Sequence, residues 1–306
     1  MPTVLLTGSS GFIGFATLTR LLTSNYNVKA ILRTSSQIPK IQRGLARSLP
    51  LSNLNSNREM NEELAKNVEF IIIPDLSAEG AFDGVLEDVE YIAHVASPMG
   101  MDVSDDYERD TIQPAVKMST NILSAASKIP SIKRIVLISS IGALLDVDKF
   151  ATGTLKNEPF TASDPIPLYP PHRPYAHPLL AYGASKSLAL SAAESYINHH
   201  APTYSLISLL PSLVLGPNYL AESRNDVLAT TVRTLIRYVT GEKATMRTLP
   251  QTVDVGELAG VVGRCFGGGD KVKEGRYLVA AGEREWSVAK GVVRAKFGGE
   301  LERGVV

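Results

Sequence analysis

The sequence predicts an α/β fold, a doubly wound parallel sheet covered by helices and followed by a small C-terminal lobe. Three observations carry this. Short runs of β-branched and aliphatic residues alternate with longer stretches of helical periodicity, the pattern of strands joined by crossover helices. Several of the short runs are apolar at consecutive positions, as strands covered on both faces must be. The first run is followed at once by Thr7-Gly8-Ser9-Ser10-Gly11-Phe12-Ile13-Gly14, a glycine-rich turn that opens the first helical stretch.

Taken in chain order, strands are expected at 4–6, 28–32, 68–73, 91–95, 135–139 and 204–209, with helices at 13–22, 107–128 and 181–199. The rhythm breaks twice. Residues 164–178 carry six prolines, at 165, 167, 170, 171, 174 and 178. Proline lacks an N–H and restrains the residue before it, so this stretch reads as an extended loop. After Gly216-Pro217 the alternation fades into helices at 227–240 and 255–266, a short strand at 277–280 and a last helix at 287–297. The expected organisation is a sheet-centred domain over 1–216, with an insertion at 146–178, and a substrate-binding lobe over 217–306 partly interwoven with the sheet.

Composition narrows the function. The chain has 306 residues, 31 basic and 31 acidic side chains and one cysteine, Cys265. That length buries a sizeable core without disulfides or metals. Balanced charge argues against a nucleic-acid or anionic-membrane surface. A single cysteine excludes a disulfide framework and a Cys-rich zinc module, and it suits a reducing compartment. The longest apolar stretch, 135–145, is broken by Ser139, Ser140 and Gly142 and falls short of the roughly 18 residues of a membrane span. The expectation is a cytoplasmic protein, monomer or homodimer, acting on a small molecule without nucleic acid, membrane or metal. His199 and His200 end a helix, where imidazolium suits the dipole, and they lack the acidic or Cys neighbours of a metal site. Cys265 reads as a buried helix residue and Trp286 as a packing anchor.

The glycine turn points to a dinucleotide. Gly8, Gly11 and Gly14 allow a tight turn and bring backbone N–H groups to a pyrophosphate at the positive end of a helix, as in Rossmann-type sheets. The second strand ends at Leu32, where an acidic residue would bind the ribose 2′-OH of NAD. Here Arg33-Thr34-Ser35-Ser36 stands instead, with Lys40 seven residues beyond Arg33. Two cations and three hydroxyls suit a 2′-phosphate, so NADP(H) is preferred over NAD(H). Asp75 and Leu76, after the third strand, reach toward the adenine edge. His94-Val95-Ala96-Ser97-Pro98 ends the fourth strand, where small Ala96 and Ser97 beside Val95 let the cofactor lie against backbone. His94 reads as a packed strand-end residue.

Tyr182 and Lys186 lie four residues apart at the start of a helix and share one face. Ser139-Ser140 ends the fifth strand, at the same sheet edge as the glycine turn. A free tyrosine has a pKa near 10. A nearby ammonium favours the phenolate and brings that value toward the range useful in acid–base catalysis. A serine hydroxyl would hold a carbonyl oxygen where negative charge develops as hydride arrives. Lys186 would also bond the nicotinamide ribose.

These motifs carry a resemblance. TGSSGFIG at 7–14, Arg33 with Lys40, PDL at 74–76, HVASP at 94–98, LISS at 137–140, YGASK at 182–186 and LPSLVLGP at 210–217 are together highly specific. Over residues 3 to 277 the chain resembles the extended short-chain dehydrogenase/reductases, in particular the dihydroflavonol-4-reductase-like branch. That branch includes cinnamoyl-CoA reductases and NADPH-dependent aldehyde and ketone reductases. The resemblance implies that Tyr182 is the proton donor, Lys186 its partner and ribose anchor, and Ser140, rather than Ser139, the catalytic serine. It further implies that Thr7 and the glycines frame the cofactor loop and that Phe12 and Ile13 offer N–H groups to the pyrophosphate. Pro211, Ser212 and Val214 would run beside the nicotinamide carboxamide, and Arg33 and Lys40 would meet the 2′-phosphate.

Three positions depart from the branch. Leu145 stands five residues after Ser140, where plant flavonoid reductases carry a polar side chain; leucine cannot bond catechol hydroxyls. Met118 replaces a common glycine and is expected to affect helix packing only. Against the branch's usual C-terminal tail, the segment after Gly282 reads as shortened, and the expectation is a lobe open on one side. The function expected is an NADPH-dependent carbonyl reductase acting on an aldehyde or ketone. Two other classes share the fold: an NAD-dependent sugar-nucleotide epimerase or dehydratase, which Arg33 opposes, and a non-catalytic NADP(H) sensor, which the intact Tyr182 and Lys186 oppose.

Overall fold

The computed structural model describes residues 1–52, 58–98, 104–156, 158–241, 251–268, 271–282 and 286–302. Seven strands form the main sheet: β1 (Thr3–Thr7), β2 (Asn27–Leu32), β3 (Val68–Ile72), β4 (Tyr91–His94), β5 (Arg134–Ile138), β6 (Ser205–Pro211) and β9 (Gly275–Val279). Their order is β3-β2-β1-β4-β5-β6-β9, and every pairing is parallel. The chain winds outward from β1 to β3, then returns to lay β4 on the other side of β1. That reversal creates a crevice beyond the carboxyl ends of β1 and β4, where ligands bind in such sheets. The doubly wound, Rossmann-type sheet read from the sequence is the observed fold.

Consecutive strand residues point to opposite faces, and both faces are covered. Val4, Leu6, Ala93, Val136 and Ile207 pack under α1 (Phe12–Thr23), α2 (Ile38–Ser52) and α9 (Val255–Gly267). Leu5, Ile92, Ile135 and Leu137 pack under α4 (Gln113–Ala126) and α6 (Pro178–His200). Met118 lies buried in this second layer, a packing role as expected. Cys265 is buried in α9, and Trp286 packs on Tyr238 with ring centroids 5.5 Å apart.

The strand expected at 277–280 is the seventh strand of the main sheet, pairing residues 275–279 with 207–211. A second, two-stranded sheet joins β7 (Leu213–Leu215) to β8 (Thr252–Asp254); strands this short leave no periodicity to read. The helices α2 and α3 (Arg58–Lys66) escape the sequence pattern. The stretch 164–177 is free of helix, as its prolines require, although the insertion opens with the short α5 (Val147–Thr152).

The helix expected over 227–240 is two, α7 (Arg224–Leu228) and α8 (Val232–Thr240). The break has a local cause. Thr230 Oγ1 donates to Val227 O at 2.7 Å, and Thr231 Oγ1 donates to Val214 O. Threonine hydroxyls that bond backbone carbonyls offer the chain an alternative to the helical ladder. The helix expected at 107–128 begins as a π-helical turn, Glu108–Ile112, before α4. The last helix is α10 (Trp286–Glu302). Among the described residues no helix is long and apolar enough to cross a membrane.

Ile122 is 0% exposed, between α4 and the sheet. Ile122→Ala removes three methylene-sized groups from a rigid layer and is expected to cost about 2–5 kcal/mol in urea unfolding. Val288→Ala, at a position 49% exposed, is expected to change stability by less than roughly 0.5 kcal/mol.

Candidate active site

The glycine turn is built by close approach. Gly8 has φ +76°, a left-handed conformation, and a Cβ there would meet Ala96 N at 2.8 Å. A Cβ on Gly14 would stand 1.9 Å from Gly8 O, so the first helix can enter beneath the turn only as glycine. Gly11 N donates to Gly8 O at 2.9 Å and closes the turn. Among the described residues no side chain caps α1, which leaves the N–H groups of Phe12 and Ile13 at the helix start without a side-chain acceptor. Ser9 donates its hydroxyl to Ile31 O at 3.1 Å, tying the turn to β2.

Thr7 is fully buried, and its Oγ1 accepts from Val95 N and Ala96 N, each at 3.1 Å. The same hydroxyl lies 3.0 Å from His94 Nδ1. Thr7 therefore braces the strand ends, and Val95, Ala96 and Ser97 leave β4 beside the glycine turn. His94 is the packed strand-end residue expected: it is buried, and burial, followed by the nearby Lys186 charge, lowers its pKa to about 3.

At the end of β2, Gln37 organises the next turn. Its Oε1 accepts from Arg33 N at 3.0 Å and Thr34 N at 3.3 Å, while its Nε2 donates to Ser10 Oγ at 3.1 Å. Arg33 is thereby held beside the glycine turn with an exposed side chain. Sequence reasoning missed Gln37, although Thr34-x-x-Gln37 is a capping-box pattern and the structure forms that box. Asp75 is exposed and accepts from Ser77 N at 2.8 Å and Ser77 Oγ at 2.6 Å; its carboxyl is held below the usual range first by these bonds, with Arg33 adding a smaller pull. Leu76 is buried in the second core layer. Lys40 is engaged by a carboxylate, its Nζ lying 2.6 Å from Asp226 Oδ1.

The other half of the site depends on how α6 docks. After β5, Ser140 opens a 3-10 turn, Ile141–Leu144, accepting from Gly142 N at 3.1 Å. This turn lies against α6. A Cβ on Gly183 would meet Val147 Cγ1 at 2.9 Å and Gly142 O at 3.8 Å, and Ser187 Oγ donates to Ala143 O at 2.9 Å. His177 caps the helix start, its Nδ1 accepting from Leu179 N at 3.1 Å. Tyr182 and Lys186, one position before Gly183 and Ser187, are thus carried to Ser140. Lys186 Nζ lies 5.6 Å from the centre of the Tyr182 ring.

Electrostatics correct one expectation. The sequence argument has the lysine drawing the phenol downward. In the structure burial dominates and raises the Tyr182 pKa above its ordinary 10.0, with a hydrogen bond from Ser140 acting in the opposite sense. Burial also lowers Lys186 from 10.5 to about 8. Both groups have left water, which disfavours phenolate and ammonium alike. The arrangement can hold a neutral phenol, an ammonium below pH 8 and a hydroxyl around one oxygen atom.

Beyond β6, Ser212 N donates to Val279 O at 3.0 Å, and its buried hydroxyl has no partner among the described residues. Pro211 closes β6 and Val214 is buried in β7, so this strip runs along the same sheet edge. Leu145 is buried, and only its backbone is polar: its carbonyl accepts from Tyr169 OH at 3.3 Å and its N–H donates to Gly142 O at 3.4 Å. A cleft of about 410 Å³ lies beside the loop after β3, lined by Ser77, Lys117, Arg109 and His172 among others; Ser140, Tyr182 and Lys186 are not part of it.

Fold and site together define a Rossmann-type protein with a Ser–Tyr–Lys constellation at the carboxyl edge of its sheet. The chain belongs to the NAD dependent epimerase/dehydratase family, which it matches over residues 4–249. It is similar to ketoreductase CTB6 of Cercospora nicotianae, 36% identical over 225 residues, covering 73% of this chain and 59% of the relative. It is also similar to cinnamoyl-CoA reductase CAD2 of Medicago truncatula, 31% identical over 216 residues, covering 70% and 58%. These relatives agree with the reductase branch read from the motifs, and the chain spans somewhat under two thirds of their length. Gre2 of Candida albicans, solved in complex with NADPH, superposes with a TM-score of 0.75 at 25% identity, covering 98% of this chain and 84% of that one.

The Lys186 shift makes a stability prediction. In the unfolded chain the ammonium titrates near 10.5 and in the fold near 8. Between these values the unfolded state binds more protons, so stability rises with pH from 8 to 10.5 and the burial cost is fully present below 8. Lys186→Met is therefore expected to raise stability at pH 7, by no more than about 3 kcal/mol. That advantage should shrink as thermal unfolding is followed above pH 8.

Proposed function

We propose that this chain is an NADPH-dependent carbonyl reductase, with Tyr182 as proton donor to an aldehyde or ketone. The observation that carries this reading is the convergence of Ser140, Tyr182 and Lys186 across from a glycine turn that has no room for side chains. The residues fit a dinucleotide: the Gly8 and Gly14 approaches form a cradle that a Cβ would fill, and the start of α1 lacks a side-chain cap. The kinship with a ketoreductase and a cinnamoyl-CoA reductase, and the likeness to an NADPH-bound structure, support the same reading. The bound nicotinamide would supply the hydride.

The chain's own residues do the rest. Ser140 holds the carbonyl oxygen, and Tyr182 donates its phenolic proton to that oxygen as charge develops on it. An alkoxide is more basic than a phenolate, so a phenol kept neutral by burial is a competent donor throughout the neutral range. Lys186, charged below pH 8, stabilises the phenolate left behind and anchors the nicotinamide ribose. Arg33 meets the 2′-phosphate, joined by Lys40, while Phe12 and Ile13 offer N–H groups to the pyrophosphate. Asp75 and Leu76 border the adenine. Val95, Ala96 and Ser97 give the cofactor a small-residue wall, and Pro211, Ser212 and Val214 line the carboxamide. The 146–178 insertion and the segment after Gly216 form the substrate side, and buried Leu145 selects against substrates that need a hydrogen bond there.

Tyr182→Phe is expected to reduce NADPH-dependent turnover of aldehydes and ketones roughly 100- to 10,000-fold while the NADPH dissociation constant barely moves; retained turnover would sink the mechanism. Arg33→Ala is expected to weaken NADPH binding roughly ten- to a hundredfold with NADH binding unchanged, measured by calorimetric titration of both. The wild-type rate of reduction should fall as pH rises through about 8, where Lys186 loses its charge, and hold on the acid side of that value.

A further inference from the structure

Lys40 already has a partner. Its Nζ lies 2.6 Å from Oδ1 of Asp226, in α7, 186 positions downstream. The other carboxylate oxygen of Asp226 accepts from Glu222 N, Ser223 N and Ser223 Oγ, each at 2.9 Å. The two ends of this ion pair are therefore held differently. Asp226 is fixed by the capping box that starts its own helix, whether or not Lys40 is present. Lys40 stands in the first turn of α2 with its side chain 38% exposed, on a flexible four-carbon stem that can swing toward another anion.

The contact between α2 and the 219–226 segment does not depend on this pair. Arg43 binds Glu222 through two hydrogen bonds, at 2.7 and 3.1 Å, and Arg47 donates to Tyr219 O at 2.8 Å. A Cβ on Gly44 would meet Phe15 at 2.8 Å and Leu220 at 3.0 Å, which shows how closely α2 is packed there. Lys40 can leave Asp226 without loosening the helix.

We propose that Asp226 is a specificity-determining residue for the cofactor, competing with the 2′-phosphate of NADP(H) for the Lys40 ammonium. This rests on the reading of Arg33 and Lys40 as the phosphate contacts. Either the phosphate displaces the carboxylate from Lys40, or both anions share one ammonium and repel each other. In both cases Asp226 lowers affinity for NADPH and leaves NADH, which has no phosphate at that position, untouched. The Lys40 bond first, then the Glu222 N–H and Ser223, hold the Asp226 carboxyl well below the usual range, so it is ionised throughout the pH range of a binding assay.

The test is direct titration of the full chain with NADPH and with NADH, independent of turnover. Asp226→Asn keeps an acceptor for Glu222 N and Ser223 N but presents Lys40 with an uncharged amide. It is expected to tighten NADPH binding about two- to fivefold, the modest range of exposed ion pairs, with NADH unchanged. In a Lys40→Met background the same substitution should have no effect on either cofactor. Unchanged or weakened NADPH binding in Asp226→Asn, or an equal shift for both cofactors, overturns the proposal. So does equal tightening in Glu222→Gln, which would mark a general field effect. If Lys40→Met alone leaves the NADPH-to-NADH ratio at the wild-type value, the phosphate reading of Lys40 itself fails. If Lys40→Met weakens NADPH but Asp226→Asn does nothing, only the competition fails.

Discussion

The hydroxyl of Thr7 is the contact on which the cofactor side of the molecule depends. Two backbone amides, of Val95 and Ala96, donate to its oxygen. With both lone pairs engaged, the hydroxyl proton must go to His94 Nδ1, so the neutral imidazole carries its own proton on Nε2. One side chain thus locks β1 to β4 at the point where the sheet order reverses. Once those strand ends are locked, Gly8 lies against the Ala96 backbone, and the glycine at that position follows from contact distance rather than from flexibility. A burial-driven fall in the histidine pKa keeps the brace neutral under any physiological condition.

The reacting side depends on a second brace, and the two share a helix. On α6, Gly183 and Ser187 face the turn after β5, while Tyr182 and Lys186 lie one step around the helix. Residues four apart fall on one face, so two interleaved pairs divide the labour: one seats the helix, the other is the pair proposed to carry the chemistry. The seating explains why a lysine tolerates a site where it is only 7% exposed. Its position is dictated by packing at Gly183 and Ser187, and the cost of burying its charge is borne by the fold at large.

Much of this was legible in the sequence, for identifiable reasons. Strands covered on both faces show as unbroken apolar runs, and all seven strands of the main sheet were marked by such runs or by a short β-rich segment. The candidate site was legible as a pattern because the glycine turn and Ser140 follow strand ends, where the chain changes character, and Tyr182 and Lys186 share one face of α6. What escaped did so because local signals pointed elsewhere. The α2 segment contains Pro39, Gly44 and Pro50, which argue against a helix. Yet Pro39 falls in the first turn, where no N–H is required, and Gly44 answers to Phe15 and Leu220 across the interface. The split between α7 and α8 depends on Thr231 reaching Val214, a contact between distant positions that periodicity cannot register. The direction of the Tyr182 shift was misread because charge proximity can be inferred from spacing, whereas the extent of desolvation cannot.

The charge balance takes on meaning only in three dimensions. Equal numbers of acids and bases said nothing about where the cations go, and the natural reading gave both Arg33 and Lys40 to one phosphate. In the fold α2 presents Lys40, Arg43 and Arg47 to Glu222 and Asp226, so a basic helix face serves first to hold the segment after β7 in place. Arg33, at the strand end beside the glycine turn, has an exposed side chain and only its backbone engaged by Gln37. The two cations therefore differ in kind. An arginine aimed by a capping box offers its planar fork directly, whereas the lysine must first be taken from a carboxylate. On the proposed reading, discrimination between phosphorylated and unphosphorylated ribose is a graded property, set as much by an acidic residue 186 positions from Lys40 as by the basic residues proposed to meet the phosphate.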